Sequence, residues 1–299
     1  MPTIEFGWVA PMVGMRASGG VPLALAQQET ILPVVAESFG SLWVYDHFYG
    51  LERRSSPWLE GWTTLTWLAA RFPTLRVGTL VLGLGYRNPA LLAKMAATLQ
   101  LLSGGRLILG LGAGWREEEH RAYGYPFPSA GVRRAQLEEA LTIIQQMWTE
   151  PAPSFQGEHF SISAVYCDPL PSPPPPIMIG STGAAILPLI ARRADWWDCW
   201  YWTADSLDPV GYAARAAQLD AAAQAAGRDP ATIRRSVSTT GARLPQSAQE
   251  AAAWVARLRP FVAAGVTHFM LDFGPVADPD PIRRFADGVI APLNAGAGG

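Results

Sequence analysis

Short apolar runs alternate with longer amphipathic ones along most of the chain, and that alternation predicts its architecture. Thr3–Val9 has the bulk of a strand and stops at Ala10-Pro11, before a glycine-bearing loop over Met12–Gly20. Leu23–Phe39 then shows helical recurrence and ends at Gly40. Ser41–Tyr45 predicts a second buried strand, Phe48–Pro57 a polar loop, and Leu59–Arg71 a helix. Arg76–Leu84 is a third strand. Asn88-Pro89 opens a helix over Pro89–Leu102, with proline at the first helical position, where an absent N–H is tolerated. Ser103-Gly104-Gly105 ends it, and Arg106–Leu111 is strand four. A polar helix from Arg116, a Pro/Gly patch at Gly124–Pro128 and a long helix over Arg133–Trp148 follow.

Glu150–Pro176 breaks the rhythm with turn residues, short strand-like pieces and the run Pro173–Pro176, as a surface insertion or hairpin does. The alternation then resumes. Ile177–Ile179 is strand five, and its helix runs to Arg193. Trp196–Trp202 is strand six, followed by a helix over Asp208–Ala226. Ile233–Thr240 and Val266–Asp272 are strands seven and eight, with a helix over Ser247–Ala264 between them. Pro281–Ile290 is a last helix before a loose Ala/Gly tail. Continuously apolar strands fit a parallel sheet covered on both faces. Eight regular units favour a closed (β/α)8 TIM barrel, α/β in class, over an open doubly wound sheet. The expected organisation is one barrel domain over residues 1–299 with an insertion around residues 150–176.

Composition narrows the partners. With 49% hydrophobic and 16% charged residues there is ample material for one core, and no disordered class is matched. A net charge of −2 gives no reason to expect nucleic acid or an anionic membrane as partner. Lys94 is the only lysine. Cys167 and Cys199 are too few for a disulfide framework, and Met1–Pro11 lacks the features of a secretory signal, so the expectation is a cytoplasmic protein.

In a barrel of this kind chemistry sits at the C-terminal ends of the strands. Leu107–Pro128 runs from a buried strand through a turn at Gly110, Gly112 and Gly114 into a charged segment. Its spacing is not that of the dinucleotide fingerprint, since no third glycine follows three residues on. His120 with Glu117–Glu119 reads as a solvated helix face rather than a metal site. A Gly-x-Ser-x-Gly elbow is absent. Gly180-Ser181-Thr182-Gly183 is the best phosphate candidate, because it follows a strand and opens a helix. A plain helix cap would read the same way. Asp46-His47 is a polar pair at a strand end, suited to proton transfer or to a rim salt bridge.

Four stretches carry a resemblance: Trp43-Val44-Tyr45-Asp46-His47-Phe48, Gly78-Thr79-Leu80-Val81, Tyr86–Lys94 and Leu107–Pro128. Together they resemble the bacterial luciferase-like monooxygenase superfamily, most closely its branch of oxidoreductases dependent on the deazaflavin coenzyme F420. Leu59–Leu65 strengthens that branch over those using flavin mononucleotide (FMN). The resemblance implies a ring system at the strand ends beside Asp46 and His47, with His47 as proton donor and Asp46 orienting it or the ring. It also implies a non-proline cis peptide at Leu80–Val81 backing the ring. Gly83, Ala113, Gly114 and Glu118 fall where the family contacts ring, ribityl chain or phosphate, and Gly180, Ser181, Thr182 and Gly183 match its phosphate loop. Relatives of this kind are commonly dimers, which implies a homodimer.

One departure bears on substrate. Members acting on a sugar phosphate carry a glutamate directly after the glycine turn, where this chain has Trp115. Glu118 would need a cationic partner beside a polyanionic tail, which Arg116 or Arg121 could supply. Trp8, Trp43, Trp62, Trp115 and Trp202 are candidates for a substrate wall. The expected activity is hydride transfer between coenzyme F420 and a small organic substrate at the barrel mouth. An FMN-dependent two-component monooxygenase and a non-catalytic cofactor-binding protein are the alternatives.

Overall fold

A computed structural model describes residues 3–12, 29–50 and 54–296. The strands are β1 (Glu5–Val9), β2 (Ser41–Val44), β3 (Arg76–Thr79), β4 (Leu82–Gly83), β5 (Leu107–Gly112), β6 (Phe155–Gln156), β7 (Ser161–Ile162), β8 (Ile177–Gly180), β9 (Trp196–Tyr201), β10 (Arg234–Thr239) and β11 (His268–Leu271). The helices are α1 (residues 29–35), α2 (Gly61–Arg71), α3 (Pro89–Leu102), α4 (Glu117–Ala122) and α5 (Ala130–Thr149). After the insertion come α6 (Leu187–Arg193), α7 (Pro209–Ala225), α8 (Ala248–Ala263), α9 (Asp280–Phe285) and α10 (Ala291–Ala295).

Neighbouring strands pair in parallel in the order β3-β2-β1-β11-β10-β9-β8-β5-β4, and β3 also pairs with β5. The sheet therefore closes into a (β/α)8 barrel whose third stave is β3 and β4 together. The expected strand over Arg76–Leu84 is not continuous. A cis peptide joins Leu80 to Val81, β4 resumes beside β5 alone, and Leu84–Tyr86 is a 3-10 turn. The implied cis bond is thus present and sits at the mouth of the barrel.

Side-chain alternation explains how the closed barrel is filled. Trp43 points inward from β2 and is fully buried. A Cβ on Gly7 or Gly78 would come within 2.3 Å of its indole, so two glycines on the flanking strands make the space for one large ring. The indole N–H donates to Ser41 Oγ at 2.8 Å, which satisfies the one polar atom it buries. Outside the barrel the helices cap as the sequence suggests, through Asn88 for α3, Asp208 for α7 and Ser247 for α8.

Glu150–Pro176 forms the small antiparallel pair β6–β7, whose turn is held by Glu139 accepting from the N–H groups of Glu158, His159 and Phe160. The expected helix over Leu23–Phe39 begins outside the described residues and is helical over 29–35. The chain end departs from expectation: after α9 and a π turn over Ala286–Ile290, α10 continues to Ala295. Asn294 ties it to β1, accepting from Ile4 N–H at 2.8 Å and donating to Ile4 O at 3.0 Å. Among the described residues no helix is long and apolar enough to cross a membrane.

Candidate functional site

A cavity of about 450 Å³ opens at the C-terminal ends of the strands, a size suited to a small ligand or ring system. Asp46 and His47 enter it from the end of β2, Leu80, Val81 and Gly83 from the cis-peptide bulge, and Ala113 and Gly114 from the turn after β5. Gly180, Ser181 and Thr182 line the opposite side. Of the expected site residues, Glu118 and Gly183 do not line the cavity.

The neighbours Asp46 and His47 are held by different partners. Asp46 is buried, and its carboxylate takes a two-pronged pair from Arg87, at 2.7 Å and 2.8 Å, plus the N–H of Gly83 at 3.0 Å. It therefore anchors the chain just past the cis bond rather than orienting His47. Arg87 also reaches Glu60, 2.7 Å away. Glu60 in turn caps α2 by accepting from Trp62 N–H and Thr63 N–H. Burial opposes the charge on Glu60, but those backbone donors and Arg87 hold its carboxyl below the usual range.

His47 is oriented by Glu119, whose Oε2 lies 2.8 Å from Nδ1. The same carboxylate accepts from Phe48 N–H at 2.5 Å and from Tyr86 Oη at 2.9 Å. Burial pushes the Glu119 carboxyl up, yet these donors, His47 first, leave it below its ordinary value. An ionised carboxylate on Nδ1 selects the tautomer whose Nε2 is free to exchange a proton with a ligand. The expectation that Glu117–His120 is a solvated face holds for only half of it: Glu119 and His120 are buried. Glu119 is a site residue that the sequence reading missed. Its signal was the helical spacing, which turns two adjacent residues of a charged run toward the core.

Glu118 is balanced by Arg116 and, beyond expectation, by Arg54, while Arg121 pairs with Glu117 instead. On the far side, Ser181 Oγ accepts from Gly183 N–H at 3.1 Å and keeps its own proton to donate. Gly180–Gly183 leads into a 3-10 turn over Ala184–Ile186 before the short α6, so the helix expected directly after it starts one turn later.

The tryptophans divide. Trp8 and Trp43 are fully buried core residues, which removes them from the substrate wall. Trp115 and Trp202 stand more than half exposed at the rim, edge to face with ring centroids 5.7 Å apart, and Trp115 meets His47 at the same distance. Trp62 packs at the margin of the core and is not in the cavity lining. Trp200, missed in the sequence, lines the cavity and packs against Trp202. At the floor lies buried Asp198, with Ser236 Oγ and Ser238 Oγ at 3.0 Å and 2.6 Å from its carboxyl oxygens. Burial pushes it up to about 6. Among the described residues no group of three or more His, Cys, Asp or Glu could hold a metal ion.

The model of one family, described as luciferase-like monooxygenase, matches residues 13–286. The chain belongs to the luciferase-like monooxygenase family. An F420-dependent glucose-6-phosphate dehydrogenase from Amycolatopsis mediterranei is 33% identical over 56% of this chain and 51% of its own length. An F420-dependent hydroxymycolic acid dehydrogenase from Mycobacterium tuberculosis is 33% identical over 65% of this chain and 52% of its own. The chain thus spans about half the length of these curated relatives. Among solved luciferase-like folds, an F420-dependent secondary alcohol dehydrogenase superposes with a TM-score of 0.79 at 18% identity, covering 97% of this chain and 99% of that one. EDTA monooxygenase from Chelativorans sp. BNC1 superposes at 0.77 with 12% identity, covering 99% and 94%. Those two likenesses concern the barrel alone.

Proposed function

We propose that this protein is an F420-dependent oxidoreductase that transfers a hydride between the deazaflavin and a small, uncharged organic substrate. The observation carrying this is the His47–Glu119 pair at the edge of a cavity backed by the cis Leu80–Val81 bulge. The curated relatives named as F420-dependent dehydrogenases support the choice of cofactor.

The residues present fit such a group. Val81 fills the space where Gly112 and Gly180 lack side chains, since a Cβ on either would fall within 2.9 Å of it, so the bulge forms a smooth apolar wall. Leu80, Val81 and Gly83 would back the ring, Ala113 and Gly114 would flank it, and Ser181 and Thr182 would meet its phosphate end. Gly183 and Glu118 would act outside the cavity, near the tail. Bound there, the deazaflavin would supply a two-electron hydride donor or acceptor.

The protein's own part is proton transfer and orientation. His47 Nε2 takes the proton of a substrate hydroxyl during oxidation, or returns one to a carbonyl oxygen during reduction. Glu119 steadies the imidazolium that forms. Asp46, fixed by Arg87, holds Gly83 and with it the backbone beside the bulge. Trp115, Trp200 and Trp202 form an aromatic wall, and Arg116, the arginine among the described lining residues, is already engaged by Glu118 and by the carbonyls of Tyr49 and Gly50. Such a wall suits an apolar alcohol or ketone better than a sugar phosphate.

Titration of tryptophan fluorescence with F420 and FMN side by side tests the reading. Quenching by F420 at micromolar concentration, with FMN at least about tenfold weaker, is expected. Tighter binding of FMN would turn the assignment to a flavin monooxygenase, and binding of neither would remove it. Binding without any turnover would leave a cofactor-binding protein.

A further inference from the structure

Inward-facing residues on β9 alternate as Trp196, Asp198 and Trp200, which places one carboxyl group between the buried plug of the barrel and its open mouth. Asp198 lines the cavity and yet is almost wholly shielded from water. Its two oxygens are met by hydroxyls from β10, Ser236 and Ser238. The titratable groups around it are acids and, on the outer face of β9, also cations. Tyr45, just past β2, lies near enough for each charge to feel the other, and its Oη donates to Asp272, 3.1 Å away beyond β11. On the outer face of β9, burial and, after it, the same carboxylate raise Cys199 and Tyr212 of α7, while Arg215 of α7 opposes the shift of Cys199 and Arg235 of β10, itself paired with Asp220, opposes that of Tyr212. Among the described residues that line the cavity or pair with its lining, the cations are committed elsewhere: Arg87 to Asp46 and Glu60, Arg116 to Glu118, and His47 to Glu119.

A carboxylate in that position is costly, because burial removes water and, among the described residues, no opposite charge pairs with it. The neutral acid is not. It keeps one oxygen to accept from a serine and offers its own O–H as a donor.

We propose that Asp198 is the second protonatable group of this site, a neutral carboxylic acid that donates a hydrogen bond to an electron-rich oxygen or nitrogen of the bound ring system and weakens binding once ionised. The inference rests on the ring-binding reading above but uses a residue that reading leaves idle. It assigns the cavity floor a preference for a ligand edge carrying partial negative charge. Burial, holding the group near 6 and opposed by the two serines, places the switch within the range in which the protein can be studied.

The test is the dissociation constant of oxidised F420, and of FMN, between pH 5 and pH 8 by fluorescence quenching. It is run on the wild type, Asp198→Asn and Ser238→Ala. Ionisations of the ligand are common to all three proteins and cancel in the comparison. Wild-type affinity is expected to fall by about tenfold across that range relative to Asp198→Asn, one pKa unit of linkage being one factor of ten. Ser238→Ala removes a donor that favours the charged form, so its midpoint moves to higher pH, a shift that a merely structural role would not produce. Superimposable curves for wild type and Asp198→Asn would overturn the proposal and leave the cofactor reading standing. Binding of neither ligand to the wild type at any pH would end both.

Discussion

The two ends of this barrel bury similar polar groups and treat them in opposite ways. At the closed end, Glu5 lies between Arg76 and Arg234, which both pair with it, and 3.4 Å from His268. Both guanidiniums also approach the Trp196 ring. Positive charge is in excess there: burial and Arg234 bring Arg76 down to about 10, and burial with both arginines drives His268 well below its usual value. At the open end buried Asp198 and half-buried Asp272 sit among hydroxyls and an amide, with no cation paired to either among the described residues. Burial raises both carboxyls. Glu5 at the closed end is arranged to be charged, and Asp198 and Asp272 at the open end to be neutral. That difference separates what holds the barrel shut from what awaits a ligand.

The largest effect should come from the Arg87–Asp46 ion pair at the mouth. Arg87→Ala leaves the Asp46 carboxylate buried without its partner, and removing half of such a pair costs about 3–5 kcal/mol. Chemical denaturation should show that loss, while Arg87→Lys, a point charge in place of a fork, recovers only part of it. If Arg87→Ala unfolds like the wild type, Asp46 is not held as the structure has it. Glu119→Gln should cost less in stability and more in function. A neutral amide on Nδ1 no longer favours the imidazolium, so turnover should fall by about 100-fold with substrate KM little changed. A matching loss in KM alone would mean that Glu119 shapes the pocket and does not serve His47.

Most of the barrel was legible because strand and helix periods follow from burial on two faces or on one. Asn88, Asp208 and Ser247 marked helix starts through their own side chains. The break at Leu80–Val81 came from resemblance, since nothing in its apolar run marks a cis bond. The site was legible where chemistry sits beside a strand end, as with Asp46 and His47. It was hidden where partners converge from distant segments. Glu119 meets His47 across 72 residues and Arg87 meets Asp46 across 41, and local pattern carries no such pairing. Asp198 and Trp200 were within reach, because period-two alternation from Trp196 puts both on the inner face of β9. The extra turns of α10 were obscured by Pro292, which sits in the helix's first turn, where proline is tolerated.

At the closed end, Glu5→Gln removes the anion that Arg76 and Arg234 share. Because Glu5 is about one-third exposed, water takes over part of its role, and a loss of about 2 kcal/mol is expected, easing in high salt. His268 adds a pH signature there. Its folded form resists protonation while the unfolded chain accepts a proton near 6.5, so stability falls as pH drops below that value.

The open end should respond in the other direction. Asp198 has its folded value raised from 3.8 to about 6, so the folded state binds the proton more tightly. The stability this gives is fully present below 3.8 and is lost as pH rises through 6. At neutral pH the buried carboxylate therefore destabilises the fold, by about 3 kcal/mol on linkage alone. Asp198→Asn abolishes that loss but gives up part of the hydroxyl bonding, since an amide has one accepting oxygen where the carboxylate had two. The net gain should be on the order of 1 kcal/mol at pH 8 and near zero at pH 4.5. Calorimetric melting at the two pH values reads it directly. Equal melting temperatures for variant and wild type at pH 8 would mean that Asp198 meets a compensating charge when ionised. The floor of the cavity would then be balanced like the closed end, and the contrast between the two ends would fail.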